Sequence, residues 1–139
     1  MVPTSAAGRG SPSGAGSAPI HVLIVDDHAA ARAGLRFRLS RERDLRLVGE
    51  AADGAQGLRL ACELRPDVVL VDMVLPDQDG IELAAAFRAG AAPGVPIILS
   101  LHDTPANRAR AAAAGVAAFV GKQESIQTLL AAIRRALNG

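Results

Sequence analysis

Short apolar runs alternate with longer helical segments along most of this 139-residue chain, and the alternation constrains the fold more than any single motif. The apolar runs are rich in Val and Ile, which favours buried strands. The segments between them have helical spacing or are rich in Ala, a strong helix former. We predict strands at residues 20–25, 45–51, 67–71, 95–101 and 117–120.

Five strands that alternate with helices predict an α/β fold, a doubly wound five-stranded parallel sheet with helices on both faces. The first, third and fourth strands are apolar along almost their whole length, as expected of central parallel strands that are covered on both sides. For five strands we expect the flavodoxin-like order 2-1-3-4-5. Binding sites of such sheets form at the carboxyl ends of the strands, near the point where the strand order reverses.

The first 19 residues differ in composition from the rest, since they are almost all Gly, Ser, Ala and Pro. Such a segment buries too little apolar surface to fold, so we expect a disordered tail over residues 1–19 and one domain over residues 20–139. A net charge of +1 and a chain without Trp or Tyr argue against nucleic-acid binding by this chain itself. No apolar run reaches the roughly 18 residues that span a membrane, and we expect a cytoplasmic protein.

Polar side chains stand where the predicted strands end. Asp26 and Asp27 follow the first strand, Asp72 follows the third, Ser100 lies at the end of the fourth, and Lys122 comes shortly after the fifth. Carboxylates crowded at one edge repel one another unless a cation lies between them, and an all-oxygen ligand set suits Mg²⁺. Lys122, with its single positive charge, suits a mobile anion. A carboxylate nucleophile, a divalent cation, a hydroxyl and a lysine are together what phosphoryl transfer to Asp72 requires.

Four stretches resemble the receiver domain of two-component response regulators, namely IVDDH, LVDMVLPDQDG, IILS and AAFVGK. They occur in the family's order and at suitable intervals, and the resemblance covers about residues 20–138. Three further stretches, DDH, VGEAADG and KQES, resemble the NarL/FixJ subfamily, which usually carries a C-terminal LuxR-type helix-turn-helix. Because Gly139 follows directly after the last predicted helix, we expect either a single-domain receiver or the receiver part of a transcriptional regulator.

The resemblance implies that Asp72 is the phospho-acceptor and that Ser100 and Lys122 bind the phosphoryl group. The chain would catalyse its own phosphorylation and dephosphorylation at Asp72, with no independent metabolic reaction. Phe119 would be the switch aromatic, which turns inward when Ser100 is drawn toward the phosphoryl group. From the residues alone, Ser100 is also suited to cap a strand end and Phe119 to fill the core, so these alternatives stay open.

The resemblance also implies a Mg²⁺ site at the same edge of the sheet. Asp27 would bind the ion directly, Asp26 would bind it partly through water, and Asp72 would be a third ligand. The backbone carbonyl of Val74 would complete the set of protein ligands. Asp is also a frequent helix N-cap after a strand, so a purely capping role for Asp26 and Asp27 stays open.

Partners implied by the resemblance are a histidine kinase or a phosphotransfer protein. The phosphorylated chain would form a homodimer through the last two helices and strand five, where the family usually pairs. Four arginines on this surface would pair with acidic residues of a partner: Arg108, Arg110, Arg134 and Arg135.

Two other functions fit parts of the pattern. A haloacid-dehalogenase-like phosphatase also uses Asp, Mg²⁺, Ser or Thr, and Lys, but its second Asp follows the nucleophile by two residues, whereas Asp26 is followed by Asp27 and His28. A degenerate receiver that only binds partners would not need the intact set of site residues.

His28 and His102 flank the site without the spacing of zinc ligands, and we interpret both as bystanders. Cys62 lies on an apolar helical face, so we predict a buried thiol.

Overall fold

The computed structural model describes residues 18–138, and the predicted disordered tail lies outside the described residues except for its last two positions. Five strands alternate with five helices, and each strand end lies within one residue of its predicted position. The elements are β1 (Ile20–Val25), α1 (Ala29–Ser40), β2 (Leu45–Ala51), α2 (Gly54–Leu64), β3 (Val68–Asp72), α3 (Gly80–Arg88), β4 (Val95–Ser100), α4 (Pro105–Ala113), β5 (Ala118–Gly121) and α5 (Ile126–Ala136).

The strands form one parallel sheet in the order β2-β1-β3-β4-β5, which confirms the predicted flavodoxin-like layout. The strand order reverses between β1 and β3, whose carboxyl ends are level because Val25 pairs with Val71. On the other side of β3, Asp72 pairs with Leu99, and Ser100 at the end of β4 pairs with Gly121. This register brings the residues at the ends of β1, β3, β4 and β5 side by side.

Helices cover both faces of the sheet, and each face has its own hydrophobic core. Val25 and Val71 belong to the core under α2, α3 and α4, whereas Ile24 and Leu70 belong to the core under α1 and α5. All four side chains are 0% exposed. Burying a side chain of this size contributes about 1.5–3 kcal/mol, which explains why both alternating positions of β1 and β3 are apolar. Among residues 18–138, none of the helices is both long enough and apolar enough to span a bilayer.

Polar side chains and a glycine set the ends of the helices. Asp53, Asp79, Thr104 and Ser125 precede α2, α3, α4 and α5, and each accepts a hydrogen bond from a backbone N–H of the first turn. These bonds satisfy donors that have no partner within the helix. Gly115 follows α4 with a φ of 83°, a left-handed conformation that is typical of a glycine at a helix C-terminus.

The prediction that Cys62 is buried is wrong, because its side chain is exposed. α2 packs through Gly54, Gly57 and Ala61, and these residues determine which helical face meets the sheet. A Cβ at Gly57 would lie 2.8 Å from Val25 Cγ2, so only glycine permits this close approach. Cys62 follows Ala61 by one residue, which is about 100° around the helix, and therefore turns toward solvent.

Candidate functional site

The carboxyl edge of the sheet brings together four side chains that the sequence predicts to form a site. Asp26 directly follows β1, Asp72 ends β3, Ser100 ends β4, and Lys122 directly follows β5. Asp26, Asp72 and Ser100 are 1%, 5% and 1% exposed. They are the three buried polar or charged residues among residues 18–138. Burial of polar groups is costly unless they are paired, so the groups around them decide what the site can do.

Asp26 is firmly held as a carboxylate. Its Oδ1 accepts a hydrogen bond from the backbone N–H of His28 at 2.9 Å, and its Oδ2 lies 3.0 Å from Lys122 Nζ. Burial acts to raise the pKa of Asp26, but the hydrogen bonds from His28 and Lys122 outweigh it and lower the pKa below its ordinary value. Asp26 is therefore negatively charged at neutral pH.

Asp72 is held more loosely than Asp26. Its Oδ1 accepts a hydrogen bond from the backbone N–H of Val74 at 3.4 Å, and its Oδ2 lies 3.5 Å from Lys122 Nζ. Burial raises the pKa of Asp72, the charge of Asp26 adds to the rise, and Lys122 opposes it. The contacts to the Asp72 oxygens are longer than those to the Asp26 oxygens. Of the two buried carboxylates, Asp72 is therefore freer to act as a nucleophile.

Lys122 is the only lysine of the chain. Its side chain is 18% exposed and lies between the two buried carboxylates, nearer to Asp26 than to Asp72. It also borders a cavity of about 320 Å³ between α1 and the loop that joins β5 to α5. Asp72 does not line this cavity, but the ammonium already lies 3.5 Å from Asp72 Oδ2, so a short movement brings it to an anion on Asp72.

His28 lies within this cluster, although its spacing in the sequence favours a bystander. Its Nδ1 is 3.2 Å from both Asp26 Oδ1 and Asp27 Oδ1, and 3.8 Å from Asp72 Oδ2. The signal that points to it is its position directly after two carboxylates at a strand end. His28 is also the N-cap residue of α1, so the alternative in which Asp26 or Asp27 caps this helix is wrong.

The donor set fits a hard divalent cation. Asp26, Asp27, His28 and Asp72 each offer one ligand atom, and these atoms all lie within 4.8 Å of one another. Three of the four are carboxylates, the ligand type that Mg²⁺ prefers, and their mutual repulsion favours a bound cation. Val74 lies two residues after Asp72 and its backbone reaches the cluster through its N–H. The ligand role of the Val74 carbonyl stays a prediction.

The Ser100 hydroxyl is oriented by two neighbours. Its oxygen accepts a hydrogen bond from the backbone N–H of His102 at 2.8 Å, and its proton is directed at Met73 Sδ at 3.6 Å. A thioether sulfur is a weak acceptor, so the proton can be redirected to a stronger one at little cost. Ser100 can therefore donate to a phosphoryl oxygen once one lies beside Asp72.

Hydrogen bonds hold the loop from β3 to α3 at several points. In the sequence, Pro76 and the pair Asp79-Gly80 indicate only that the chain turns here. Asp79 Oδ1 accepts from the backbone N–H of Ile81 at 2.7 Å, and Asp77 accepts from the first N–H groups of α2, at 2.8 Å and 3.0 Å. A Cβ on Gly80 would collide with the backbone carbonyl oxygen of Asp72. Glycine at this position therefore lets the loop fold tightly against the end of β3.

Phe119 and the predicted patch of arginines lie on the α4, β5 and α5 side. Phe119 is half-buried against the core under α4. Three of the four arginines already have acidic partners within the chain: Arg108 with Asp103 and Glu124, Arg110 with Asp79, and Arg134 with Glu42 and Asp44. These three would have to exchange partners before they could pair with another protein.

Comparison with known proteins matches the response regulator receiver domain to residues 22–134 of the chain. Response regulator protein VraR from Staphylococcus saprophyticus is 33% identical over 121 residues, which are 86% of this chain and 57% of VraR. The chain thus spans little more than half the length of this curated relative.

Two solved structures agree with this match. The signal receiver domain of the putative response regulator NarL from Mycobacterium tuberculosis is 34% identical with a TM-score of 0.77, covering 84% of this chain and 98% of that one. A LuxR-family two-component response regulator from Aurantimonas sp. SI85-9A1 is 33% identical with a TM-score of 0.81, covering 88% of this chain and 87% of that one. The chain therefore belongs to the receiver domain family of two-component response regulators, and its relatives are of the LuxR/NarL type.

Proposed function

We propose that the chain is a phosphorylation-controlled signalling switch in which Asp72 accepts a phosphoryl group from a histidine kinase, a phosphotransfer protein or a small phosphodonor. The observation that carries the proposal is the arrangement around the Asp72 carboxylate. It is 5% exposed, lies within 4.8 Å of the other carboxylate ligand atoms, and has Lys122 Nζ at 3.5 Å.

Each side chain of the site has a task in this reaction. A carboxylate oxygen of Asp72 attacks phosphorus, and the bond to the donor's leaving group breaks, so no protein base has to remove a proton from the nucleophile. Lys122 turns from Asp26 to a phosphoryl oxygen, and Ser100 donates its hydroxyl proton to another. Asp26 and Asp27, with Asp72, would hold Mg²⁺, which when bound offsets negative charge on the transferred group.

Intact-mass analysis after incubation with acetyl phosphate tests the assignment. The parent protein gains one phosphate when Mg²⁺ is present and none when the metal is chelated. Asp72→Asn abolishes the gain, whereas Asp44→Asn, a carboxylate at the opposite edge of the sheet, retains it. Phosphate incorporation in Asp72→Asn equal to that of the parent would contradict the proposal.

Turnover of p-nitrophenyl phosphate and binding of Mg²⁺, measured beside phosphate labelling, separate the two alternative functions. Both carboxylate oxygens of Asp26 are engaged, one by His28 and one by Lys122, which leaves this strand-one residue poorly suited to be the nucleophile of a phosphatase. Turnover of p-nitrophenyl phosphate that is lost in Asp26→Asn and kept in Asp72→Asn would favour the phosphatase. A parent protein that takes up neither phosphate nor Mg²⁺ would favour a degenerate receiver.

The proposed output is association through the surface formed by α4, β5 and α5, either with a second copy or, in a longer transcriptional regulator of the LuxR type, with other parts of the protein. Beryllofluoride with Mg²⁺ mimics the phosphoryl group, so sedimentation with and without it tests the idea. We expect the sedimentation coefficient to rise on addition in the parent and not in Asp72→Asn. A monomer under both conditions would contradict self-association, and the phosphate-labelling result would stand.

A further inference from the structure

Arg108, in the first half of α4, contacts two acidic side chains, a backbone carbonyl and an aromatic ring. Its Nε and Nη2 donate to the two oxygens of Asp103 at 2.6 Å and 2.8 Å, and Nη2 also reaches Glu124 Oε2 at 3.2 Å. Its Nη1 donates to the backbone oxygen of Phe119 at 3.3 Å. The guanidinium carbon lies 4.9 Å from the centre of the Phe119 ring, a cation–π geometry.

The partners of Arg108 stand beside the phosphoryl-binding groups. Asp103 lies three residues after Ser100, and Glu124 lies two residues after Lys122. The two carboxylates converge on Gly121, where Glu124 Oε2 accepts the backbone N–H at 2.7 Å and an added Cβ would lie 2.9 Å from Asp103 Oδ2. One guanidinium thus connects both loops at the carboxyl edge.

The ring contact distinguishes Arg108 from the other ion-paired arginines of α4 and α5. Exposed ion pairs contribute little by themselves, and the Arg108 side chain is 46% exposed. Phe119, however, lies on the edge strand β5, half-buried between the core and Arg108. A guanidinium that lies over the ring favours that ring position over any other, because the attraction is lost when the ring leaves.

We propose that Arg108 is a positioning residue that holds Phe119 and the two loops in the arrangement of the unphosphorylated chain. The regulatory part of this inference rests on the proposed function. The phosphoryl group draws Ser100 and Lys122 toward Asp72. The loops that follow these two residues carry Asp103 and Glu124, and they shift as well. The guanidinium of Arg108 then no longer lies over the Phe119 ring. Arg108 therefore opposes switching. The free energy of its contacts adds to the free energy that phosphorylation must supply to change the arrangement.

The position of the ring can be measured without phosphorylation. The chain has three phenylalanines, so ring-labelled protein gives three sets of NMR signals, and Phe37 and Phe87 serve as internal references. Arg108→Gln should change the ring shifts and the χ1 average of Phe119 and leave the two reference rings unchanged. Arg110→Gln is the matched control, because Arg110 lies on the same helix as Arg108 and its ion pair is with Asp79 at the start of α3. The guanidinium over the Phe119 ring is that of Arg108.

Beryllofluoride affinity in the presence of Mg²⁺ tests the regulatory part. Loss of an exposed cation–π contact should tighten binding in Arg108→Gln by about twofold to fivefold. In a Phe119→Leu background the same substitution should have no further effect, because the ring through which Arg108 acts is gone. Arg110→Gln should bind as the parent does.

Each result decides a separate point. Phe119 ring signals that are the same in Arg108→Gln and the parent would overturn the positioning role. Altered ring signals with unchanged or weaker beryllofluoride affinity, or an equal gain in the Phe119→Leu background, would overturn the role in switching. Failure of the parent to bind beryllofluoride would remove the proposed function and the regulatory part together, and the ring signals would still decide whether Arg108 positions Phe119.

Discussion

Lys122 Nζ lies 3.0 Å from Asp26 Oδ2, closer than to the Asp72 carboxylate at 3.5 Å. In the unphosphorylated chain the lysine thus stabilises a buried carboxylate that is not the proposed acceptor. Phosphorylation would withdraw the lysine from Asp26, so the two carboxylates compete for one ammonium. Mg²⁺ would offset the charge that Asp26 regains.

Removal of Lys122 should destabilise the metal-free protein through Asp26. Lys122→Met leaves a carboxylate that is 1% exposed without its ammonium partner, and we expect the free energy of unfolding to fall by about 1–3 kcal/mol. Adding Asp26→Asn should recover part of the loss, since the unpaired charge is then gone. Urea denaturation of both single variants and the double variant measures this coupling. Equal stability of Lys122→Met with and without Asp26→Asn would refute it.

The raised pKa of Asp72 predicts a gain in stability when its charge is removed. The folded state holds the proton more tightly than the unfolded state, so stability falls as the pH rises from the ordinary carboxyl pKa of 3.8 through the folded value. Asp72→Asn should therefore increase the free energy of unfolding at pH 7 in the absence of metal. The gain should shrink as the pH falls through the folded pKa and vanish below 3.8. Urea denaturation across this range is the measurement, and a gain that grows on acidification would contradict burial of the carboxylate as the cause.

Asp27 should matter for the metal and not for the apo fold. We expect Mg²⁺ to raise the melting temperature of the parent, because ligand that binds only the folded state stabilises it. Asp27→Ala should lose this response, while its apo melting temperature stays equal to or above that of the parent, since one source of carboxylate repulsion is removed. Sodium chloride at matched ionic strength is the control. A clear loss of apo stability in Asp27→Ala would point to a structural role instead.

Two glycine-to-alanine changes should have opposite effects. Gly80→Ala places a Cβ against the Asp72 carbonyl oxygen, and we expect a loss of about 1–3 kcal/mol together with slower phosphorylation. Gly34→Ala lies on α1, where the added Cβ would meet no atom within 4 Å apart from its chain neighbours and the backbone of its own helix, and we expect a gain of about 0.5–1 kcal/mol from helix propensity. Denaturant unfolding of both variants measures the pair. Similar effects at the two positions would show that the contact with Asp72 is unimportant.

The strands and the cluster at their carboxyl ends are predictable because both follow from local patterns. An apolar run such as residues 20–25 identifies β1, and parallel strands place their final residues at one edge of a sheet. Asp26, Asp72, Ser100 and Lys122 therefore meet wherever the strand order 2-1-3-4-5 holds. The helix ends are also local, because Asp53 and Ser125 bind N–H groups only a few residues away.

Partners of long side chains are less predictable, because they depend on which distant elements pack together. Arg110 meets Asp79 across 31 residues of sequence, and Arg134 meets Asp44 across 90. The sequence shows charges of both signs throughout, and many pairings satisfy such a pattern equally well. The exposure of Cys62 is hidden for a related reason, since one residue of rotation around α2 decides it.

Arg134 ties the last turn of α5 to the residues that precede β2, since it donates to both oxygens of Asp44 and to Glu42 at 2.7–2.8 Å. The other end of α5 begins beside Ser125, three residues after Lys122. Because Arg134 holds the last turn of α5, a shift near Lys122 would move the first turn of the helix more than the last. Movement at Lys122 would therefore fade along the helix, whose 11 residues span about 16 Å. A change at the phosphoryl-binding site would therefore alter the exposed side of α5 near its first turn more than the end of the helix.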